Sequence, residues 1–131
     1  EVAVNTICGH RDTMLYNAIP GIVYTNPEVA GVGITEAQAK QQGIEYQCHK
    51  LPLAYSGRFV AENEGGEGLC KIITDKATRH ILGVHMLGNP CSEIISSACI
   101  AIERGMTAKE LERVVFPHPT VGEIIKETIL M

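Results

Sequence analysis

The sequence predicts an α+β domain in which an antiparallel sheet of about four to five strands is covered by helices. Short β-branched runs dominate the first two thirds of the chain, and apolar residues at helical spacing dominate the last third. Two pairs of consecutive strands are joined by short turns, which is typical of antiparallel pairing. Strands in bulk followed by helices are typical of α+β proteins. The 131 residues are enough for one domain with its own core.

The N-terminal third begins with a short helix and continues into the first strand pair. Residues 1–9 are predicted to be the last turns of a helix that ends at Gly9, and residues 10–12 a polar linker. Residues 21–25 form a β-branched strand, which Asn26-Pro27 closes. Residues 29–33 are predicted to return antiparallel to that strand.

The middle of the chain carries one helix, one strand and a long loop. Thr35 and Gln38 have the spacing of a capping box, which predicts a short helix that stops at Gly43. Residues 46–53 alternate loosely between apolar and polar and indicate a strand. Residues 54–68 are rich in Gly and Glu, so we expect a loop without regular structure there.

The clearest strand pair is a hairpin, and helices follow it. Residues 68–74 and 79–87 are two apolar strands that Asp75-Lys76-Ala77-Thr78 joins. Apolar residues at helical spacing predict a helix from Ser92 to Arg104. A further capping box of Thr107 and Glu110 opens the next helix.

The final stretch places a histidine between two prolines just before a helix. Pro117 and Pro119 favour an extended backbone around His118. Thr120 is predicted to be the N-cap of the last helix, with Glu123 completing a capping box. His118 and Glu123 could also form an acid/base pair, because a carboxylate can hold one imidazole nitrogen while the other faces a reacting group. From spacing alone, the purely structural interpretation is the more common one.

Composition excludes several classes of function. The formal net charge is −4 and no run of Lys or Arg occurs, which argues against a nucleic-acid or membrane-surface partner. No stretch approaches the roughly 20 apolar residues of a membrane span, so a cytoplasmic protein is expected. The five cysteines include no C-x-x-C pair, and Cys48 and His49 would point to opposite faces of a strand. No metal site is therefore predicted.

Several motifs together resemble one family. HPTVGE at 118–123 is similar to the C-terminal signature of the pyridine nucleotide-disulfide oxidoreductases. IPGIVYTNPEVAGVGIT at 19–35, GLCKIITDKATRHILGVHMLG at 68–88 and SEIISSACIAIERGMTAKEL at 92–111 occur in the same order as in that family. Within this family, the segment FPHPTVGEIIKETI is most similar to the members that oxidise dihydrolipoamide. Glutathione reductase-like members share the His and the Glu and remain an alternative.

The resemblance implies roles for specific residues. His118 would be the acid/base that faces the redox cysteine pair of the partner subunit, and Glu123 would hold its imidazole. The backbone of His118 and Pro119 would lie near the partner's flavin, with the bond between them typically cis in the family. The complete enzyme would use FAD and NAD, act on dihydrolipoamide or a lipoyl domain, and form a homodimer.

The resemblance also implies a division of the chain and an incomplete enzyme. Residues 1–13 would be a remnant of an upstream FAD-domain helix and linker, and residues 14–131 a C-terminal dimerisation (interface) domain. The chain begins with Glu1 and not Met, which suggests a piece of something longer. It contains no Gly-x-Gly-x-x-Gly loop, so we expect no bound cofactor and no activity in the chain alone. A free-standing dimerisation module without chemistry is the alternative.

Overall fold

The computed structural model describes residues 1–131, and its central element is one five-stranded antiparallel sheet. The strand order is β1-β2-β5-β4-β3, so the predicted hairpin of β4 and β5 occupies the middle of the sheet. The predicted α+β class is thereby confirmed. The five strands are β1 (Gly21–Val23), β2 (Val29–Gly33), β3 (Tyr46–Pro52), β4 (Leu69–Asp75) and β5 (Ile81–Leu87).

Six α-helices surround the sheet, and two of them supply most of its cover. The long helix α4 packs on β2 and β5, and the last helix α6 packs on β3 and β4. The helix α4 begins one residue earlier than predicted. The helices are α1 (Val2–Ile7), α2 (Glu36–Gln41), α3 (Gly57–Glu62), α4 (Cys91–Glu103), α5 (Ala108–Arg113) and α6 (Ile124–Leu130).

One hydrophobic cluster lies between the sheet and these two helices. Alternate residues of the inner strands point into it, as the two-residue period of a strand requires, namely Ala30 and Val32, Cys70 and Ile72, and Val84 and Met86. The branched side chains of Ile72, Ile95, Ile124 and Ile125 in this cluster are almost completely buried. Because each such side chain contributes roughly 1.5–3 kcal/mol when removed from water, this layer accounts for the docking of α4 and α6 on the sheet.

Two predicted capping boxes form as expected. At the start of α2, the Thr35 hydroxyl accepts the Gln38 N–H, and the Gln38 side chain accepts the Thr35 N–H. Thr107 and Glu110 make the same reciprocal bonds at the start of α5. These local bonds satisfy backbone N–H groups that the first turn of a helix leaves unpaired, which is why the sequence alone predicts them.

The predicted loop at 54–68 is wrong in part, because it contains the helix α3. Ser56 caps this helix by accepting the Phe59 N–H at 3.3 Å. The Phe59 ring, only 1% exposed, enters the core. A six-residue helix is marginal by its own propensity, so its formation depends on the burial of this ring. That contact is tertiary and leaves no periodic signal in so short a segment.

The start of the last helix also differs from the prediction. The helix α6 begins at Ile124, and Gly122 and Glu123 form a turn before it. Thr120 is not the N-cap, because its hydroxyl donates to the Pro117 carbonyl at 2.7 Å. Only half of the predicted capping box forms, namely the bond from the Thr120 N–H to the Glu123 carboxylate.

None of the helices combines the length and the apolar character that crossing a bilayer requires.

Candidate functional site

The structure brings His118 and Glu123 into direct contact. Nδ1 of His118 lies 2.9 Å from Oε2 of Glu123. The His118 side chain is 80% exposed, whereas the Glu123 side chain is 16% exposed. A shielded carboxylate therefore holds one edge of an imidazole whose remaining surface is open to another molecule.

The second oxygen of Glu123 is also occupied. Oε1 accepts the Thr120 N–H at 3.2 Å. The carboxylate thus closes the loop before α6 and holds His118 at the same time. The two roles predicted for Glu123, as a cap and as the partner of the histidine, are compatible because a carboxylate has two oxygens that both accept.

The backbone around His118 is fixed by several contacts. Lys126 extends from α6 and donates to the Val114 carbonyl at 3.0 Å, where the segment leaves α5. The Thr120 hydroxyl bonds to the Pro117 carbonyl on the other side of His118. The His118–Pro119 peptide bond is cis, as the resemblance implies. The imidazole is therefore displayed on a segment anchored at both ends.

This geometry suits proton transfer at one defined atom. Because Glu123 accepts from Nδ1, the ring proton is placed on Nδ1 when the imidazole is neutral, and Nε2 keeps a free lone pair. A free Nε2 on an exposed ring can take a proton from a thiol or return one. The site therefore offers an oriented imidazole whose Nε2 is open to another molecule.

The cysteines do not supply a redox pair. All five are free thiols. Burial raises the pKa of Cys70 to about 12 and, more than any other cause, that of Cys91 to about 11, so both remain protonated at neutral pH. Cys48 and Cys99 also have pKa values raised mainly by burial. A protonated thiol is a poor nucleophile. We therefore infer that these four cysteines serve in packing and not in redox chemistry.

Two further histidines and a neighbouring cysteine lie outside this site. His49 contacts Thr74 at 3.4 Å, whereas the neighbouring Cys48 lies beside Glu36. His85 lies 3.0 Å from the Ile34 carbonyl and is a sheet residue. No three His, Cys, Asp or Glu side chains come together as metal ligands.

One contact of the site was not predicted from the sequence. The Ser56 hydroxyl donates to the Thr120 carbonyl at 3.2 Å, across 64 residues of chain. Ser56 and the neighbouring Tyr55 line the same depression as His118 and Glu123. The only local signal is that a serine three residues before Phe59 suits an N-cap. Its bond to Thr120 is visible only in the folded chain.

The antiparallel sheet backed by helices also occurs in solved flavoproteins. The flavoprotein disulfide reductase RclA from Escherichia coli matches with a TM-score of 0.88 and 25% identity, over 99% of this chain and 30% of that chain. The fold is thus that of a domain of the disulfide reductase class.

The sequence comparison is more specific. Residues 19–129 match the family model described as the pyridine nucleotide-disulphide oxidoreductase dimerisation domain. The chain belongs to this family.

Relatives with established names agree with that family. The chain is 41% identical over 128 residues to mitochondrial dihydrolipoyl dehydrogenase of Schizosaccharomyces pombe, covering 98% of this chain and 25% of the relative. It is 39% identical over 127 residues to dihydrolipoyl dehydrogenase of Bacillus subtilis, covering 97% and 27%. The chain therefore spans about a quarter of the length of these relatives.

Proposed function

We propose that this chain is the interface domain of a dihydrolipoamide dehydrogenase, and that His118 is the acid/base group it presents to the active site of the partner subunit. The observation that carries the proposal is the 2.9 Å contact between an exposed His118 and a shielded Glu123. The similarity to proteins named dihydrolipoyl dehydrogenase supports the choice of substrate.

In this proposal, Nε2 of His118 takes the proton of a dihydrolipoamide thiol. The resulting thiolate can attack a disulfide, whereas the thiol cannot. Glu123 holds the ring by Nδ1 and offsets the positive charge that forms on the imidazole. This attack breaks the disulfide, forms a mixed disulfide and releases one cysteine thiolate, to which His118 returns the proton. His118 then takes the proton of the second dihydrolipoamide thiol, whose sulfur attacks the mixed disulfide, closes the lipoamide disulfide and releases the second cysteine thiolate. The cysteine pair thereby gains the two electrons that the dithiol loses.

FAD and NAD belong to the complete enzyme in this proposal, and this chain contributes little to binding them. When bound, FAD and NAD would supply the redox chemistry that carries the electron pair away from the reduced cysteine pair. The chain contains no glycine-rich phosphate loop, so both cofactors require residues beyond it. His118 and Pro119 are exposed, and in this proposal their backbone would lie beside the flavin of the partner subunit. We expect no cofactor bound to this chain alone and no turnover by it.

The division of the chain is also a proposal. Residues 1–13 would be a helix remnant and linker of an upstream FAD domain. The helix α1 contributes no buried residue, and the family match begins at residue 19. Residues 14–131 would be the interface domain.

A homodimer follows from membership in a dimerisation-domain family, and we propose that its two-fold arrangement brings each His118 to the other subunit. The exposed Ile100 on α4, 61% accessible, is an apolar side chain that a partner subunit could cover. The cytoplasmic location stays a prediction, because one of the relatives described above is named as mitochondrial.

The proposal is tested on the protein that contains this chain, purified from its natural source. We expect a yellow protein several times heavier than the 14.2 kDa of this chain, bleached by NADH and reoxidised by lipoamide. Reoxidation by glutathione disulfide and not by lipoamide would instead identify the chain as part of a glutathione reductase-like enzyme. A colourless protein of 14.2 kDa would support the alternative, a free-standing dimerisation module without chemistry.

A further inference from the structure

Ser56 stands apart among the buried polar residues. Only Ser56, Thr74 and Thr128 are polar and buried, and Ser56 is 3% exposed. The Thr128 hydroxyl bonds within its own helix, to the Ile124 carbonyl, and Thr74 contacts His49 on the neighbouring strand. Ser56 alone among the three bonds to the segment that carries His118.

The partner of Ser56 is Thr120, which makes three hydrogen bonds around the segment that carries His118. The Thr120 N–H binds Glu123, its hydroxyl binds Pro117, and its carbonyl accepts from Ser56. All three hydrogen-bonding groups of Thr120 are therefore engaged. The bond from Ser56 fixes the peptide plane that follows Thr120, and the bond to Glu123 fixes the plane that precedes it.

We propose that Ser56 is a positioning residue for the acid/base site, acting on His118 through Thr120 and Glu123. The inference rests on the proposed function of His118. The Ser56 hydroxyl makes no hydrogen bond to the imidazole or to its carboxylate, so its effect is to hold the loop in which Glu123 meets both the Thr120 N–H and the ring. The helix α3, which the sequence does not predict, places this hydroxyl next to the loop.

The size of the effect follows from the geometry. A misplacement of about 1 Å at a reacting centre can reduce a rate by about 10²-fold. The Ser56–Thr120 bond is 3.2 Å, longer than the usual hydroxyl-to-carbonyl distance of about 2.7–2.8 Å, and Glu123 still restrains the loop when that bond is lost. We therefore expect Ser56→Ala to lower kcat for dihydrolipoamide oxidation about tenfold, with KM nearly unchanged.

A double-mutant cycle in the complete flavoprotein tests this mechanism. Rates per bound flavin are measured for the native protein, Ser56→Ala, His118→Gln and the double variant. If Ser56 acts through His118, Ser56→Ala lowers kcat about tenfold in the native background and leaves it almost unchanged in the His118→Gln background. A general loss of structure would cost the same factor in both backgrounds and would overturn the inference.

Three further variants complete the experiment. Thr35→Ala removes the cap of α2, which does not contact the loop, and is expected to leave kcat unchanged. Ser56→Thr keeps the hydroxyl and should restore most of the rate. If Ser56→Ala yields no folded flavoprotein, Ser56→Cys replaces it in the double-mutant cycle. Cysteine has nearly the shape of serine, but its thiol is a weak hydrogen-bond donor.

The outcomes separate this inference from the proposal on which it rests. Near-normal turnover of His118→Gln would remove His118 from the mechanism, and the role of Ser56 with it. A large loss in His118→Gln together with an unaffected Ser56→Ala would leave the function of His118 intact and overturn the positioning role alone.

Discussion

The carboxylate of Glu123 approaches Nδ1 of His118 at 2.9 Å and is largely shielded from solvent, while the imidazole itself is 80% exposed. A shielded acceptor keeps its orientation because fewer water molecules compete for its oxygens. An exposed ring remains free to meet a substrate. The pair therefore combines a fixed tautomer with an accessible Nε2, which is what an acid/base group requires.

Replacement of His118 by Gln is the direct test of its chemistry. Gln can occupy a similar volume and form hydrogen bonds, but it cannot take up a proton at neutral pH. In the complete enzyme we expect flavin content and dimerisation to be preserved, with the dithiol–disulfide half-reaction slowed by roughly 10²-fold or more. Stopped-flow measurement of flavin reduction by dihydrolipoamide reports this step. A rate within twofold of the native enzyme would exclude His118 as the acid/base.

Replacement of Glu123 by Gln tests the shared carboxylate. Both oxygens of Glu123 accept hydrogen bonds, from His118 Nδ1 and from the Thr120 N–H. A Gln amide has one accepting oxygen and one donating NH₂ group, so it can satisfy only one of these donors. We expect the same half-reaction to slow about tenfold, less than in His118→Gln because the imidazole remains.

The matched control for that variant is Glu127→Gln, one turn further along α6. The Glu127 backbone N–H donates to the Glu123 carbonyl at 3.0 Å, and its side chain lines the same depression as His118. Its side chain is free of hydrogen bonds and ion pairs in the structure. The control removes the same charge from the same helix and should leave the rate unchanged. Equal losses in the two variants would indicate an effect of charge and not of the contact with His118.

Replacement of Phe59 by Ala tests why α3 forms. The ring is 1% exposed and belongs to the main hydrophobic cluster. Loss of a buried Phe typically lowers the free energy of unfolding by about 3–5 kcal/mol. Chemical denaturation measures this loss. Val60→Ala, at a 51% exposed position in the same helix, should cost less than about 0.5 kcal/mol, and similar losses in both would contradict the buried position of Phe59.

Replacement of Glu36 by Gln tests an ion pair beside the sheet. Hydrogen bonding to Lys71 at 3.2 Å, supported by attraction to Lys50, lowers the pKa of the Glu36 carboxyl below its usual value. A carboxyl with a lower pKa in the folded state contributes stability above its unfolded-state pKa and loses it as the pH falls through the folded-state value. At pH 7 we expect Glu36→Gln to be less stable by about 0.5–1 kcal/mol.

That difference should disappear on acidification. Below the folded-state pKa of Glu36, the native side chain is protonated and neutral, like the Gln that replaces it. Denaturation curves of both proteins measured from pH 7 down to the acid limit of folding should therefore converge. A difference independent of pH would show that the substitution acts through packing and not through the charge.

The secondary structure was largely predictable from the sequence where the cause is local. The capping boxes of α2 and α5 join residues three positions apart, and the hairpin of β4 and β5 is closed by a short turn. The start of α6 was predicted three residues too early. Thr120 has the residue type and spacing of an N-cap, but its hydroxyl binds the Pro117 carbonyl instead. That choice depends on the shape of the preceding segment, which spacing does not describe.

By itself, the sequence determined the α+β class, the central hairpin and the residues His118 and Glu123 as a candidate pair, because periodicity, turn residues and short motifs act over a few positions. Only the tertiary structure decided that α3 exists, that Glu123 is shielded while His118 is exposed, and that Ser56 reaches the Thr120 carbonyl. These features join residues that are distant in the chain or depend on burial. Their energies arise only when the sheet and helices are packed together, so no local pattern encodes them.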